Sequence, residues 1–253
     1  MSSVLIVGYG VVGRNLHTEI NALNPHIYDK YARANNTRED GMAYDFAFIC
    51  VDTPFVSTDN PCDLTEVENA IKENDAGVYI VKSAILPGSA EELTSRTGKR
   101  LVVSPEYYGN TQHCNNFEFS FTILGGARED CISVVQLLQG VYDGRHSFRM
   151  TDFKTAELVK YMENSYLATK VSFCVQFFHI AESLGVSYEE LRELFVLDPR
   201  VGASHSFVYR QHPFWSSHCL NKDVAAIAVS QSALFLVNLM KFNEMCKEQV
   251  NKK

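Results

Sequence analysis

Short apolar runs and helical periods alternate along the first 150 residues. Residues 4–7, 26–28, 46–51, 78–81, 101–103 and 121–124 are compact apolar runs of the length of buried strands. Between them, residues 11–23, 63–72, 89–97 and 127–141 repeat their apolar positions every three to four residues, as an amphipathic helix does. Asp63 stands where an N-cap would open the second of these helices. Such alternation predicts a parallel sheet covered on both faces.

From residue 151 the pattern changes. Through residue 184 the period is helical and nearly unbroken: Leu158, Met162, Tyr166, Thr169, Phe173, Phe177, Ile180 and Leu184 follow one another at steps of three or four. The stripe is heptad-like. A helix of that length would run roughly 50 Å at 1.5 Å per residue, beyond the depth of a small domain, so part of it is expected to pack against another chain. Gly185 supplies a C-terminal stop. Ser187 and Glu190 have capping-box spacing for a shorter helix over 187–196. An irregular stretch at 198–218 precedes two closing helices.

Composition narrows the picture. The chain has 253 residues, 46% hydrophobic, enough for a sizeable core. Its net charge of -7, with no dense Lys/Arg cluster, speaks against nucleic acid and anionic membranes as partners. No run approaches the roughly 20 apolar residues that span a bilayer, and the N-terminus lacks the basic region of a signal peptide. Seven cysteines, odd in number and without a CxxC pair, suit reduced thiols in a cytoplasmic setting rather than a disulfide framework or a metal site.

The first candidate chemistry is a glycine-rich turn. Gly8-Tyr9-Gly10-Val11-Val12-Gly13 follows a predicted strand and opens a predicted helix, and Asp29 ends the next strand. The first glycine permits the tight turn. The second lets backbone approach a pyrophosphate at the positive helix N-terminus, and the third lets helix and strand pack closely. Asp29 would bond a ribose 2′-hydroxyl and repel a 2′-phosphate, which favours NAD over NADP. The predicted fold is therefore α/β: an N-terminal Rossmann-type parallel sheet over residues 1–150, the NAD-binding domain. An all-α central or dimerisation domain with one long central helix follows over 151–253.

Several further blocks, in order, resemble the UDP-glucose/GDP-mannose dehydrogenase family. They are FICVDTP at 48–54, VKSAILPGS at 81–89, VSPEYYGN at 103–110, AELVKYMENSYLATK at 156–170, LDPRVG at 197–202 and HCLNKDVAA at 218–226. Members of this family oxidise a sugar-nucleotide alcohol to a carboxylate with two NAD. The resemblance implies that reaction here, most simply on UDP-glucose, with a nucleotide sugar as substrate and a homodimer through the long helix.

Alcohol-to-acid oxidation removes two hydrides, so the intermediate aldehyde must be held and given a second removable hydride. A thiolate achieves this as a thiohemiacetal, then a thioester that water cleaves. By the resemblance Cys219 is that nucleophile, and a helix beginning near Asn221 would place it at a thiolate-favouring N-terminus. Lys160 and Asn164, four apart on one helix, would hold the reacting oxygen and its developing charge. Asp223 and Glu106 would manage water and protons. Thr53 lies in the turn beside the cofactor and Lys222 contacts cofactor or ligand. Tyr107 and Tyr108 would line the sugar pocket, and Arg200 would reach a neighbouring subunit's substrate.

The chain also departs from the family pattern. Ala84 stands where the family has a threonine, and Asn110 where it has a second glutamate. Phe214-Trp215-Ser216-Ser217 replaces a flexible Phe-Gly-Gly ahead of the cysteine, and the stretch from Arg200 to Cys219 is longer by three residues. The family's second doubly wound domain, which binds the nucleotide, has no counterpart in the 253 residues, so a separate nucleotide-binding chain could supply that surface. Two other readings stay open at this point: a non-catalytic NAD or sugar-nucleotide binding partner, and a single-hydride dehydrogenase of the hydroxyacid type.

Overall fold

The computed structural model describes residues 2–108 and 119–251. The departure at Asn110 and the cysteine at 114 lie outside the described residues. The described strands are β1 (Val4–Val7), β2 (His26–Tyr28), β3 (Tyr44–Ile49), β4 (Ala76–Val81), β5 (Leu101–Val103), β6 (Phe121–Gly126) and β7 (Ser147–Thr151). The helices are α1 (Val11–Glu19), α2 (Thr65–Glu73), α3 (Ser89–Thr97), α4 (Arg128–Leu138), α5 (Phe153–Leu184), α6 (Tyr188–Phe195), α7 (His218–Ser230) and α8 (Leu234–Asn251). The α/β class read from the sequence is borne out.

Two compact units divide the chain. Among the described residues the first comprises 2–56, 62–108 and 119–160; the second comprises 57–61 and 161–251. In the first unit all seven strands form one sheet in the order β2-β1-β3-β4-β5-β6-β7. The five strands from β2 to β5 are parallel neighbours. Their apolar side chains fill two layers. Leu5, Ala47, Tyr79 and Leu101 pack with α2 and α3 on one face, and Ile6, Phe48, Ile80 and Val102 with α1 and α4 on the other. This burial on both faces is why these strands read as continuous apolar runs.

The expectation of an all-parallel sheet is corrected at one pairing. β6 runs antiparallel to β5, with Val103 opposite Gly125, and β7 then runs parallel to β6. A parallel neighbour requires a crossover, usually a helix. The apolar run at 121–124 has the same pattern in either strand direction, so the sequence does not distinguish the two. β7 was not predicted: its edge position leaves SFRMT without a buried stripe.

Three local expectations also shift. The helix over 11–23 ends at Glu19, and a separate 3-10 turn covers Asn21–Leu23. Asn24 there adopts φ 49°, and Pro25 follows it. Asparagine tolerates this left-handed conformation, and proline disfavours helix in the residue before it. Asp63 does not occupy the cap position of α2. It sits one residue further out and accepts from the Thr65 backbone N–H at 3.0 Å and the Thr65 hydroxyl at 2.6 Å. α7 begins at His218 rather than near Asn221, because Ser217 caps it by accepting from Leu220 N–H at 3.2 Å.

The second unit is helical. Trp215, Leu220, Val224 and Leu239 pack around Ala168 of α5. Phe178, Ala181 and Tyr188 form a smaller cluster around Cys174. Gly185 ends α5 at φ +69°, and Ser187 caps α6 by accepting from Glu190 N–H at 3.3 Å. Among the described residues no helix is long and apolar enough to cross a membrane.

Candidate active site

In the first unit the glycine-rich turn joins the C-terminal end of β1 to α1. Gly8 holds φ +90°, and a Cβ there would stand 2.7 Å from the Cys50 carbonyl oxygen. A Cβ at Gly13 would stand 2.0 Å from the Gly8 carbonyl oxygen. Neither position tolerates a side chain. At Gly10 an added Cβ would meet no protein atom within 4 Å, and no side chain caps α1. The backbone is thus bare on the side where a pyrophosphate would approach the helix N-terminus.

Asp29 follows β2 and faces this turn. It accepts from the backbone N–H of Tyr9 at 2.7 Å, Tyr31 at 2.8 Å and Ala32 at 2.7 Å. Burial pushes its carboxyl upward, but the three N–H bonds outweigh burial and hold it below the usual carboxylate range. An ionised carboxylate with about four acceptor sites keeps capacity for a ribose hydroxyl. These residues fit an NAD-type dinucleotide. Thr53 is buried, and its hydroxyl donates to the Ala84 carbonyl oxygen at 2.7 Å, joining the loops after β3 and β4.

Glu106, Tyr107 and Lys160 come together beyond β5. The Lys160 ammonium lies 3.9 Å from Glu106 Oε1 and 5.0 Å from the centre of the Tyr107 ring. Glu106 Oε2 accepts from Tyr108 N–H at 2.7 Å. The Tyr108 hydroxyl is engaged elsewhere: it donates to Glu19, which also accepts from the Tyr142 hydroxyl at 2.5 Å. Burial and the Glu19 charge both push these two phenols well above their ordinary range.

The sequence reading passed over Lys82, at the C-terminal end of β4. Its ammonium donates to Ser104 Oγ at 3.3 Å. Burial pushes it below the usual lysine range, while the charges of Glu19, Cys50 and Glu106 oppose that and Lys160 adds to it. Burial likewise pushes the Cys50 thiol up to about 12, against the field of Lys82. A lysine terminating the apolar run VYIV was the available signal, hidden by the family block around it.

In the second unit the predicted residues cluster on α5 and α7. Asn164 donates to Asp223 Oδ2 at 2.6 Å, and the Lys222 ammonium lies 2.7 Å from Asp223 Oδ1. Asp223 is 2% exposed, Asn164 4%. Cys219 is exposed in the first turn of α7, four residues before Asp223 and so on its helical face. Arg200 stands apart on the surface in a bidentate pair with Asp198, at 3.0 and 2.6 Å. Among the described residues, no group of three or more His, Cys, Asp or Glu side chains could hold a metal ion.

Residues 154–245 match the UDP-glucose/GDP-mannose dehydrogenase family, central domain. The chain is 27% identical over 190 residues to a UDP-N-acetyl-D-mannosamine dehydrogenase of Methanocaldococcus jannaschii, covering 71% of this chain and 43% of that protein. It is 24% identical over 196 residues to a UDP-glucose 6-dehydrogenase of Rickettsia prowazekii, covering 73% and 44%. The chain thus spans less than half the length of these curated relatives. Its fold is similar to that of a UDP-glucose dehydrogenase of Pyrobaculum islandicum, with a TM-score of 0.79 at 22% identity, covering 97% of this chain and 68% of that one. The resemblance read from the sequence is borne out.

Proposed function

For a chain whose residues 154–245 are a central domain of the UDP-glucose/GDP-mannose dehydrogenase family, we propose an NAD-dependent oxidation of a nucleotide sugar. The substrate is UDP-glucose, and its primary alcohol is taken to a carboxylate. The observation that carries this reading is on α7: an exposed Cys219 in the first turn, with the buried Asp223 on the same face held by Asn164 and Lys222.

NAD, when bound at Gly8–Gly13, Asp29 and Thr53, supplies the hydride acceptor. The chain supplies the rest. Lys160 and Asn164 are a cation and an amide donor for the oxygen on which charge develops. Once the alcohol has given up its proton and a first hydride to NAD, Cys219 would add its thiolate to the aldehyde carbon; the thiohemiacetal would lose its hydride to a second NAD, leaving a thioester. Asp223 and Glu106 orient the water that cleaves it and take up the proton. Lys222 contacts the bound ligand through the charge it shares with Asp223. The working form is a homodimer through α5 in a cytoplasmic compartment, with Arg200 reaching the neighbouring subunit's substrate.

Purified protein is offered UDP-glucose, GDP-mannose and UDP-N-acetylmannosamine, and NADH is counted against product. Two NADH per UDP-glucose are expected, and Cys219→Ser should stop net turnover; full activity in that variant removes the nucleophile role. A second reading, a non-catalytic NAD or sugar-nucleotide binding partner, draws on Ala84, which offers no hydroxyl where the family has one. Tight NAD binding with no turnover on any sugar nucleotide selects it.

A further inference from the structure

The segment ahead of Cys219 reads Phe214-Trp215-Ser216-Ser217, and its tryptophan is held from two helices. Trp215 is buried, 6% exposed, among Ala168, Leu220, Val224 and Leu239. Its backbone N–H and C=O, in the two peptides flanking the residue, are both held by one side chain of α8. Trp215 N–H donates to Asn243 Oδ1 at 2.9 Å, and Asn243 Nδ2 donates to the Trp215 carbonyl oxygen at 2.9 Å. The indole N–H donates to Ser172 Oγ of α5 at 2.9 Å. Asn243 and Ser172 are themselves buried, at 7% and 5% exposure.

This grip sits immediately before the start of α7. Two residues after Trp215, Ser217 caps the helix through Leu220 N–H. Asn221 N–H donates to the Ser217 carbonyl oxygen at 3.0 Å, and the Asn221 side chain donates to the Ser216 carbonyl oxygen at 3.3 Å. A primary amide that accepts from a residue's N–H and donates to its C=O ties down the two peptide groups on either side of that residue. The indole bond to Ser172 holds the ring and makes no contact with this backbone. The chain therefore enters α7 along one path, and the backbone carrying Cys219 starts from a fixed point.

We propose that Asn243 is a positioning residue for Cys219, acting through the Trp215 peptide. A buried amide of α8 holds the backbone from which the thiol-bearing helix starts. The proposal rests on the reading of Cys219 as the reacting thiol, and Asn243 itself touches no substrate.

The test uses the full chain with Asn243→Ala and, separately, Ser172→Ala. Hydrogen exchange at the amides of Leu220 and Asn221 is followed alongside global thermal stability, and kcat and KM are measured with UDP-glucose and NAD. In Asn243→Ala, exchange at those two amides should rise about tenfold beyond what the change in global stability accounts for. Turnover should fall by about tenfold or more with KM for NAD unchanged, as misplacing a reacting group does. Ser172→Ala leaves the peptide clamp intact and should keep both readouts within about threefold of the parent. If Asn243→Ala does not fold, Asn243→Asp carries the same measurement, because it retains the acceptor for Trp215 N–H and loses the donor. Unchanged exchange at Leu220 and Asn221 in a destabilised variant, or equal effects of the two sites, overturns the assignment. The exchange result needs no turnover. A parent protein inactive on every sugar nucleotide counts against the dehydrogenase reading, while exchange still decides the clamp.

Discussion

Asn164 donates its side-chain amide to Asp223 across 2.6 Å, fastening the long helix α5 to α7 inside the helical unit. Lys222 adds an ammonium at 2.7 Å, so a carboxylate only 2% exposed is compensated by one cation and one amide. Breaking a buried pair by removing one member costs more than the pair contributes, because the remaining charge stays desolvated. Asp223→Ala should therefore lose about 3 kcal/mol of stability. Asp223→Asn, which keeps the shape and removes the charge, should lose less. Urea titration separates the two, and a midpoint for Asp223→Ala equal to the parent's would show that the buried pair contributes nothing.

Glu157 gives the protein a distinct pH signature. It is 2% exposed, and its carboxylate accepts from the backbone N–H groups of Gly88 at 2.6 Å and Ala90 at 2.8 Å, at the start of α3. Burial pushes its carboxyl up to about 7, only partly offset by those two bonds. Below about 4.5 the folded and unfolded chains both carry the proton, and the contribution to stability is fully present. As pH rises the unfolded chain gives up its proton first, so that contribution is lost through about 7. The loss is on the order of 3 kcal/mol. Thermal melts between pH 5 and 8 should show the decline in the parent and a flatter profile in Glu157→Gln; parallel profiles would remove Glu157 from the balance.

The parallel strands and the glycine turn were legible because each follows from a local rule. β1 is VLIV, buried at every position, and Gly8 and Gly13 are required by the backbone atoms they approach. The α6 cap at Ser187 was readable for the same reason. What was hidden depends on residues far apart in sequence. The antiparallel direction of β6 cannot be read from FTILGG itself, because a buried run looks the same in either direction. Lys82 acquires its environment from Glu19, Cys50, Glu106 and Lys160, which no spacing rule links. The grip of Asn243 on Trp215 spans 28 residues. Ser216 and Ser217 looked like a mere loss of glycines, and Ser217 proved to be the cap that starts α7 three residues earlier than expected.

Asp29 should control which dinucleotide binds. Its carboxylate is held ionised, 2.7 Å from the Tyr9 backbone N–H within the glycine turn. A fixed negative charge there repels a 2′-phosphate and accepts from a 2′-hydroxyl. Asp29→Ala should weaken NADH binding by about tenfold, the equivalent of one good hydrogen bond to a charged group. The same change should narrow the preference over NADPH. Fluorescence titration of both cofactors checks this, and an unchanged NADH-to-NADPH ratio would place the ribose elsewhere.

The stripe along α5 predicts how copies of the chain meet. Phe173, Phe177, Ile180 and Leu184 lie at steps of three and four and are 49%, 40%, 38% and 72% exposed. Phe173 and Phe177 have ring centroids 4.8 Å apart, and Phe195 of α6 extends the surface at 6.2 Å from Phe173. A soluble monomer rarely leaves a contiguous apolar strip of this kind in water. In a two-fold interface every substitution occurs twice, so one carboxylate introduced mid-stripe meets apolar surface or its own copy on the opposing helix. On the proposed homodimer through α5, Phe177→Glu should convert the dimer to a monomer at micromolar concentration, read as a halved mass in light scattering. Its own fold should persist, because Phe177 is outside the cluster formed by Cys174, Phe178, Ala181 and Tyr188. A mass unchanged by Phe177→Glu, with helical circular dichroism intact, would move the interface off this face of α5.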